Sequence, residues 1–176
     1  GYSNEINVTH SNFLLRKLNK SYFFVIRETK VFLYKATFKG IKSFWTKNYL
    51  IYLINNSMIK AEKSNFILNL PLFSISRSHI TLNKCMFNGR NEKFNDLAQP
   101  MFLIQNISYA SLHLNFILNY LCNESNSLFE IQNSEFSFFK SVIILNRCRI
   151  IALFSSKLLN FTQSKFLFNK ANQGSI

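Results

Sequence analysis

The residues of this chain that could do chemistry are three histidines, three cysteines and eight acids among 176 positions. The histidines, His10, His79 and His113, form no H-x-H or HExxH pair and share no ligand spacing with a cysteine, so no metal site is expected. The acids are Asp96 and the glutamates at 5, 28, 62, 92, 124, 130 and 135, and they do not recur at a common interval. Glu130 and Glu135 are the nearest glutamates. On an alternating strand Glu130 points outward, which suits a solvated ion pair better than one of the two converging carboxylates of a glycoside hydrolase. Serines are abundant, but no G-x-S-x-G elbow occurs. Four glycines leave no Gly-rich phosphate loop. No cofactor and no catalytic set are expected.

Cys85, Cys122 and Cys148 are odd in number and form no C-x-x-C. Neither a zinc ribbon nor a disulfide framework is expected, and Cys85 and Cys148 read as small core residues. The formal net charge is +13. Such an excess favours an anionic partner: an acidic glycan, lipid headgroups or nucleic acid. A solvated lysine surface also follows from the Lys-, Asn-, Ile- and Phe-rich wording of AT-rich coding sequence. The basic residues are scattered singly. Arg77, Lys84, Arg147, Arg149 and Lys165 are expected to face outward from strands and are the candidate partner-binding stripe. With Tyr109 or Phe139 nearby for stacking, the same stripe could serve nucleic acid, although no DNA- or RNA-binding motif accompanies it. N-x-S/T sequons stand at Asn7, Asn19, Asn55, Asn106, Asn123 and Asn160. Composition alone predicts about three or four, so the excess points weakly to a secreted context.

Any such groups must be positioned by strands. Hydrophobic residues make up 48% of the chain and Phe supplies twenty, while Gly and Pro number four and two. This is too apolar for a disordered tail. No run reaches the ~18 apolar residues of a membrane-spanning helix, and "GYSNEINVTHSNF" shows no signal peptide. The pattern apolar-x-apolar-x-x-[S/T/C]-x-apolar fits with its polar anchor at Ser11, Thr29, Ser57, Ser64, Ser78, Cys85, Ser134, Ser141, Cys148, Ser156 and Ser164. Composition would give about three matches. Ile107 is a near miss. Each unit reads as a short alternating strand and a corner, where Ser, Thr or Asn hydrogen-bonds nearby backbone.

Three units make one coil of 21–23 residues: Ser57 to Ser78, Ser64 to Cys85, Ser134 to Ser156, Ser141 to Ser164. The expected fold is therefore all-β, a parallel β-helix with three strands per coil. Its register places Ile131 over Leu153, Phe136 over Leu158, Phe138 over Phe161, Ile143 over Phe166, Ser64 under Cys85 and Ser134 under Ser156. Helix competes at 11–26 and at 112–123, and the latter is retained as a short helical insertion. The stretches 35–50, 88–100 and 119–127 break the pattern and are expected to project as loops, which in solenoids gather on one side. No capping helix is recognisable in the sequence at either terminus. The whole chain is expected to be one β-helix domain, a fragment of a longer solenoid or one capped by a partner.

"FEIQNSEFSFFKS", "FSISRSHITLNKCMFNG" and "FTQSKFLFNKANQGSI" resemble pectin-lyase-like right-handed β-helices. They are more closely similar to polymorphic outer-membrane-protein-type repeats, built around I-x-N-S-x-F-x-x-N-x-A-x-x-G-G, as in large ciliate surface proteins. Phe161, Ser164, Phe166, Asn169, Ala171 and Gly174 match in place, and Ser175 replaces the second Gly. The likeness covers roughly 50–176, and 5–32 loosely. It implies right-handed coiling and a non-catalytic, often adhesive scaffold at the cell surface or secreted, with an anionic glycan or a protein as partner. The alternatives are a degenerate carbohydrate-active enzyme acting on acidic polysaccharide and, more weakly, an intracellular nucleic-acid-binding or assembly protein.

Overall fold

The chain turns its corners on a two-part device. One residue takes the left-handed backbone region, and the next buries a small polar side chain. In the computed structural model, which describes residues 4–15, 24–40, 49–67, 71–89, 99–120, 122, 126–155 and 158–170, all non-glycine residues with positive φ (44° to 61°) sit at corners. Each such residue costs about 1 kcal/mol. At anchors such as Ser57, Ser108 and Asn115 the side chain makes two or three hydrogen bonds worth about 1 kcal/mol each, which offset the strain, while Ala36 fills its corner by size alone.

The strands between corners form three parallel sheets. The first contains β1 (Asn4–Thr9), β4 (Thr29–Tyr34), β7 (Met58–Glu62), β10 (His79–Asn83), β13 (Tyr109–His113), β16 (Glu135–Phe139) and β19 (Leu158–Thr162). The second contains β2 (Asn12–Leu15), β5 (Thr37–Gly40), β8 (Asn65–Ile67), β11 (Met86–Asn88), β14 (Phe116–Leu118), β17 (Val142–Ile144) and β20 (Lys165–Leu167). The third contains β3 (Phe24–Arg27), β6 (Ile51–Ile54), β9 (Phe73–Ser76), β12 (Phe102–Gln105), β15 (Ser127–Gln132) and β18 (Arg149–Phe154). The fold is a parallel β-solenoid with three strands per coil, as the repeat predicts. The helix expected near 112–123 is absent: Tyr109–His113 and Phe116–Leu118 are strands, and Leu114–Asn115 is an ordinary corner. Leu112, Ile117 and Tyr120 point inward as rungs rather than lining one helical face. At 11–26, Asn12–Leu15 and Phe24–Arg27 are likewise strands.

Alternation buries every second side chain, and stacking brings like onto like. Phe13, Phe38, Phe66 and Phe87 form one column with centroids 4.6, 5.1 and 5.0 Å apart and nearly parallel planes. Phe73, Phe102 and Phe129 form another at 5.0 and 5.1 Å. Each fully buried Phe contributes about 1.5–3 kcal/mol, and the offset ring contacts add about 0.5–1.5 kcal/mol per pair.

The anchors form ladders of their own. The Ser57 N–H donates to the Ser78 hydroxyl (3.2 Å), the Ser78 N–H to the Ser108 hydroxyl (3.3 Å) and the Ser108 N–H to the Ser134 hydroxyl (3.1 Å). Between the first and second sheets the Cys85 N–H donates to Asn115 Oδ1 (2.8 Å), the Asn115 N–H to the Ser141 hydroxyl (2.9 Å) and the Ser141 N–H to the Ser164 hydroxyl (3.3 Å). Cys85 does lie over Ser64, and its thiol reaches the Ala61 and Asn83 carbonyls as a hydroxyl would.

The register agrees at Ile131–Leu153, Phe138–Phe161 and Ile143–Phe166. It differs at Phe136, which pairs with Leu159 rather than Leu158. The connection from Phe154 to Leu158 holds one residue more than that from Gln132 to Glu135, so the frame slips by one. Ser156, expected over Ser134, lies outside the described residues. The anchor of the near-miss unit is Ser108, fully inside the ladder, while Ile107 sits at the corner 68% exposed. The expected coil of 21–23 residues is too narrow: stacked anchors are separated by 21 (Ser57–Ser78), 28 (Ala36–Ser64), 26 (Ser108–Ser134) and 30 residues (Ser78–Ser108).

Candidate functional site

The three corners of the coil are unequal, and that inequality defines the surfaces available for recognition. From first sheet to second, every connection is two residues: one left-handed residue and one anchor, as in Lys35–Ala36, Lys63–Ser64 and Lys84–Cys85. From second sheet to third, connections vary from the short link Leu145–Cys148 to the long ones between Gly40 and Ile51 and between Asn88 and Phe102. The breaks at 88–100 and 119–127 map to this edge, and so does 41–50 of the first, whereas Lys35–Ala36 is a regular two-residue corner and Thr37–Gly40 is strand β5, so the first break begins later than the sequence pattern indicates. Their central segments 41–48, 90–98 and 123–125 lie outside the described residues.

The candidate stripe does not exist as one line. Arg77 sits at the corner between β9 and β10, Lys84 between β10 and β11, and Arg147 between β17 and β18. Arg149 opens β18 and Lys165 opens β20. These five cations are distributed over three corners and two sheets. Arg77 and Lys84 are corner residues with φ of 49° and 52°, not strand residues. By sequence they read as strand residues because the left-handed corner residue falls within the apparent alternation.

A different basic line runs along the two-residue corner. Its left-handed positions are, in stacking order, His10, Lys35, Lys63, Lys84, Leu114, Lys140 and Gln163. The Lys35 N–H donates to the Glu62 carbonyl, Lys63 to Asn83 and Lys84 to His113, so successive rungs hold successive lysines. At a spacing of about 4.8 Å per rung, Lys35 to Lys140 spans about 19 Å. Aromatic side chains border it. The Lys35 and Lys63 ammonium groups lie 5.2 and 5.5 Å from the Tyr34 ring centroid, and Lys140 lies 5.1 Å from Phe139. Glu62 pairs with Lys63 at 3.8 Å, with both side chains substantially exposed.

The variable edge carries a cross-link. Cys122 and Cys148 form a disulfide with Cα atoms 4.9 Å apart. This corrects the expectation that Cys148 is a core thiol in the anchor ladder. The anchor there is Asn146, which accepts the Tyr120 N–H (2.9 Å) and donates to the Ile117 and Ile144 carbonyls (3.1 and 3.0 Å). The pattern matched Cys148 because Ile143, Leu145 and Ile150 stand at the right spacing, yet Leu145 is a left-handed corner residue, 53% exposed. Cys85 is the free, buried cysteine, and burial pushes its thiol up to about 11. On the same edge Gly89 is required by close approach. A Cβ there would meet the Asn119 carbonyl oxygen at 2.5 Å.

Of the sequon asparagines, Asn7 and Asn160 are exposed on the outer face of the first sheet, and Asn55 and Asn106 are exposed at third-to-first corners. Asn19 and Asn123 lie outside the described residues. Ser57 and Ser108, the hydroxyl positions for Asn55 and Asn106, are buried ladder anchors. The ladder accounts for those two serines without a glycan. The histidines stay apart: His10 packs edge-on to Tyr34, His79 lies against Tyr109 and His113 against Phe139. Glu130 faces outward on the third sheet beside Gln132, as expected, and Glu135 opens β16 on the first. Among the described residues no three His, Cys, Asp or Glu side chains are grouped to hold a metal ion. The chain matches no protein-family model, and comparison with curated proteins finds no relative.

Proposed function

We propose that the chain is a non-catalytic structural or adhesive segment of a surface or secreted protein, which binds an anionic glycan or a protein partner through its basic edge and its loops. The observation that carries this reading is the division of labour between corners. One edge is invariant and lined by Lys35, Lys63, Lys84 and Lys140, and another varies in length from coil to coil. A rigid ladder with a constant charged edge and variable connections suits an extended binding surface. The Cys122–Cys148 disulfide supports an oxidising compartment, since disulfides persist in secreted and surface proteins. Exposed Asn7 and Asn160 are consistent with that route. The likeness to pectin-lyase-like helices and to polymorphic surface repeats fits the same reading and rests on the quoted residues alone.

The test is binding to heparin and polygalacturonate, against neutral dextran, at low and high salt. The comparison variant carries Lys35→Gln, Lys63→Gln, Lys84→Gln and Lys140→Gln. Glutamine suits these corners because Gln163 occupies the same one with φ 51°. Salt-sensitive binding that the variant loses supports the reading, because such contacts are screened. Absence of salt-sensitive binding, or release of new reducing ends from polygalacturonate, overturns it.

A further inference from the structure

The outer face of the second sheet is polar over its first strands, at Asn12, Thr37, Lys39 and Asn65, and still at Asn88, but turns apolar over its last strands, where a solvent-facing sheet surface is ordinarily polar. Met86, Phe116 and Val142 lie in register on adjacent strands, and Leu118, Ile144 and Leu167 form a second row beside them. Phe116 is 53% exposed. The core does not need these side chains, because Phe87, Ile117 and Ile143 fill the inward positions of the same strands. Among the described residues, charge around the face has one sign. Lys84 and Lys140 flank it at one corner, Arg147 and Lys170 follow the opposite edge, and Lys165 continues the Met86 row. The described acids lie elsewhere: Glu5, Glu62 and Glu135 on the first sheet, Glu130 on the third and Glu28 at the corner between those two. Glu62 pairs with Lys63.

We infer that this face docks on an anionic lipid bilayer, with Phe116 and its apolar neighbours entering the headgroup layer and the flanking cations meeting lipid phosphates. Charge complementarity and side-chain type choose this occupant. An apolar centre between cationic rims matches the two components of an anionic membrane surface. The two apolar rows hold aliphatic residues and one Phe, with no Tyr, Trp or Arg of the kind that anchors protein–protein hot spots. The inference goes beyond glycan binding and leaves Lys35 and Lys63 aside.

The experiment is flotation with vesicles of phosphatidylcholine alone or of equimolar phosphatidylcholine and phosphatidylserine. The chain should float with the anionic vesicles only, less so at high salt. A Phe116→Ser/Leu118→Ser variant should bind about tenfold more weakly or worse, as loss of inserted apolar area requires, and Lys140→Gln/Lys165→Gln should weaken binding with its fold intact by circular dichroism. The Phe116→Trp variant, which keeps the face apolar, should show a blue shift of its emission on anionic vesicles beyond that of the parent chain. No flotation, equal flotation with neutral vesicles, or a Phe116→Trp emission that shifts no more than the parent's each overturns the inference. So does a dimer that Phe116→Ser/Leu118→Ser converts to monomer, which would give the face to a second copy of the chain.

Discussion

The Ser78 N–H donates to the Ser108 hydroxyl at 3.3 Å across 30 residues of sequence, and the same hydroxyl donates to the Gln105 carbonyl at 2.6 Å. One buried side chain therefore closes its own corner and fastens the coil beneath it.

Ser108→Ala leaves the Ser78 N–H without its acceptor inside the solenoid. The expected loss is about 1–3 kcal/mol, read from the midpoint of urea unfolding at constant slope. Ser108→Cys should lose less, because the Cys85 thiol donates to the carbonyl of its own corner and to one in the adjacent coil, as the Ser108 hydroxyl does to Gln105 and Ile75.

Phe66 sits mid-column, fully buried, between Phe38 and Phe87. Phe66→Ala should cost about 3–5 kcal/mol. Phe13 ends the column and is only partly buried, so Phe13→Ala should cost clearly less. Thermal unfolding of the two variants side by side checks the ordering, and equal losses would contradict a stacked column.

Reducing the Cys122–Cys148 bond should lower stability by about 2–4 kcal/mol. Cys122→Ser, Cys148→Ser and the double variant should lose about the same amount, since all three remove one shared bond. Unfolding with and without reductant measures the loss, and reductant should have no effect on the double variant.

Cys85 gives a pH signature. Burial raises its pKa to about 11, so the folded chain holds the thiol proton more tightly than the unfolded chain does. Its contribution is fully present below the ordinary thiol value of about 8.5 and is lost as pH climbs from there to about 11. Tyr49 and Tyr120 are pushed upward by burial as well, so the measurement is the difference between the parent chain and Cys85→Ser. The substitution should flatten the alkaline decline between those limits. Iodoacetamide should label Cys85 only after unfolding.

Much of the architecture is written in short-range pattern. Alternation, Ser, Thr or Cys at corners and like residues about one coil apart determine a three-sided parallel solenoid, because side-chain period two and coil stacking act on neighbouring positions. The strand pairing Phe138–Phe161 and the ladder pair Ser64–Cys85 follow from that alone. A pattern whose anchor is restricted to Ser, Thr or Cys could not find Asn115, although Ala110, Leu112 and Ile117 stand at its spacing, nor Asn146, since an amide serves as anchor through its own donor and acceptor.

What only the tertiary structure decided depends on distance in space. Connections of unequal length change the phase between coils, so which residues share an edge cannot be counted along the chain. Arg77, Lys84 and Arg147, similar in sequence context, separate onto three corners, whereas Lys35, Lys63 and Lys84 align. Cys122 finds Cys148, 26 residues away, because Tyr120 and Asn146 stack one coil apart and bring the two thiols to the same side of one edge. The sequence determined the rungs; the lengths of the loops, resolved only by packing, decided what stands beside what.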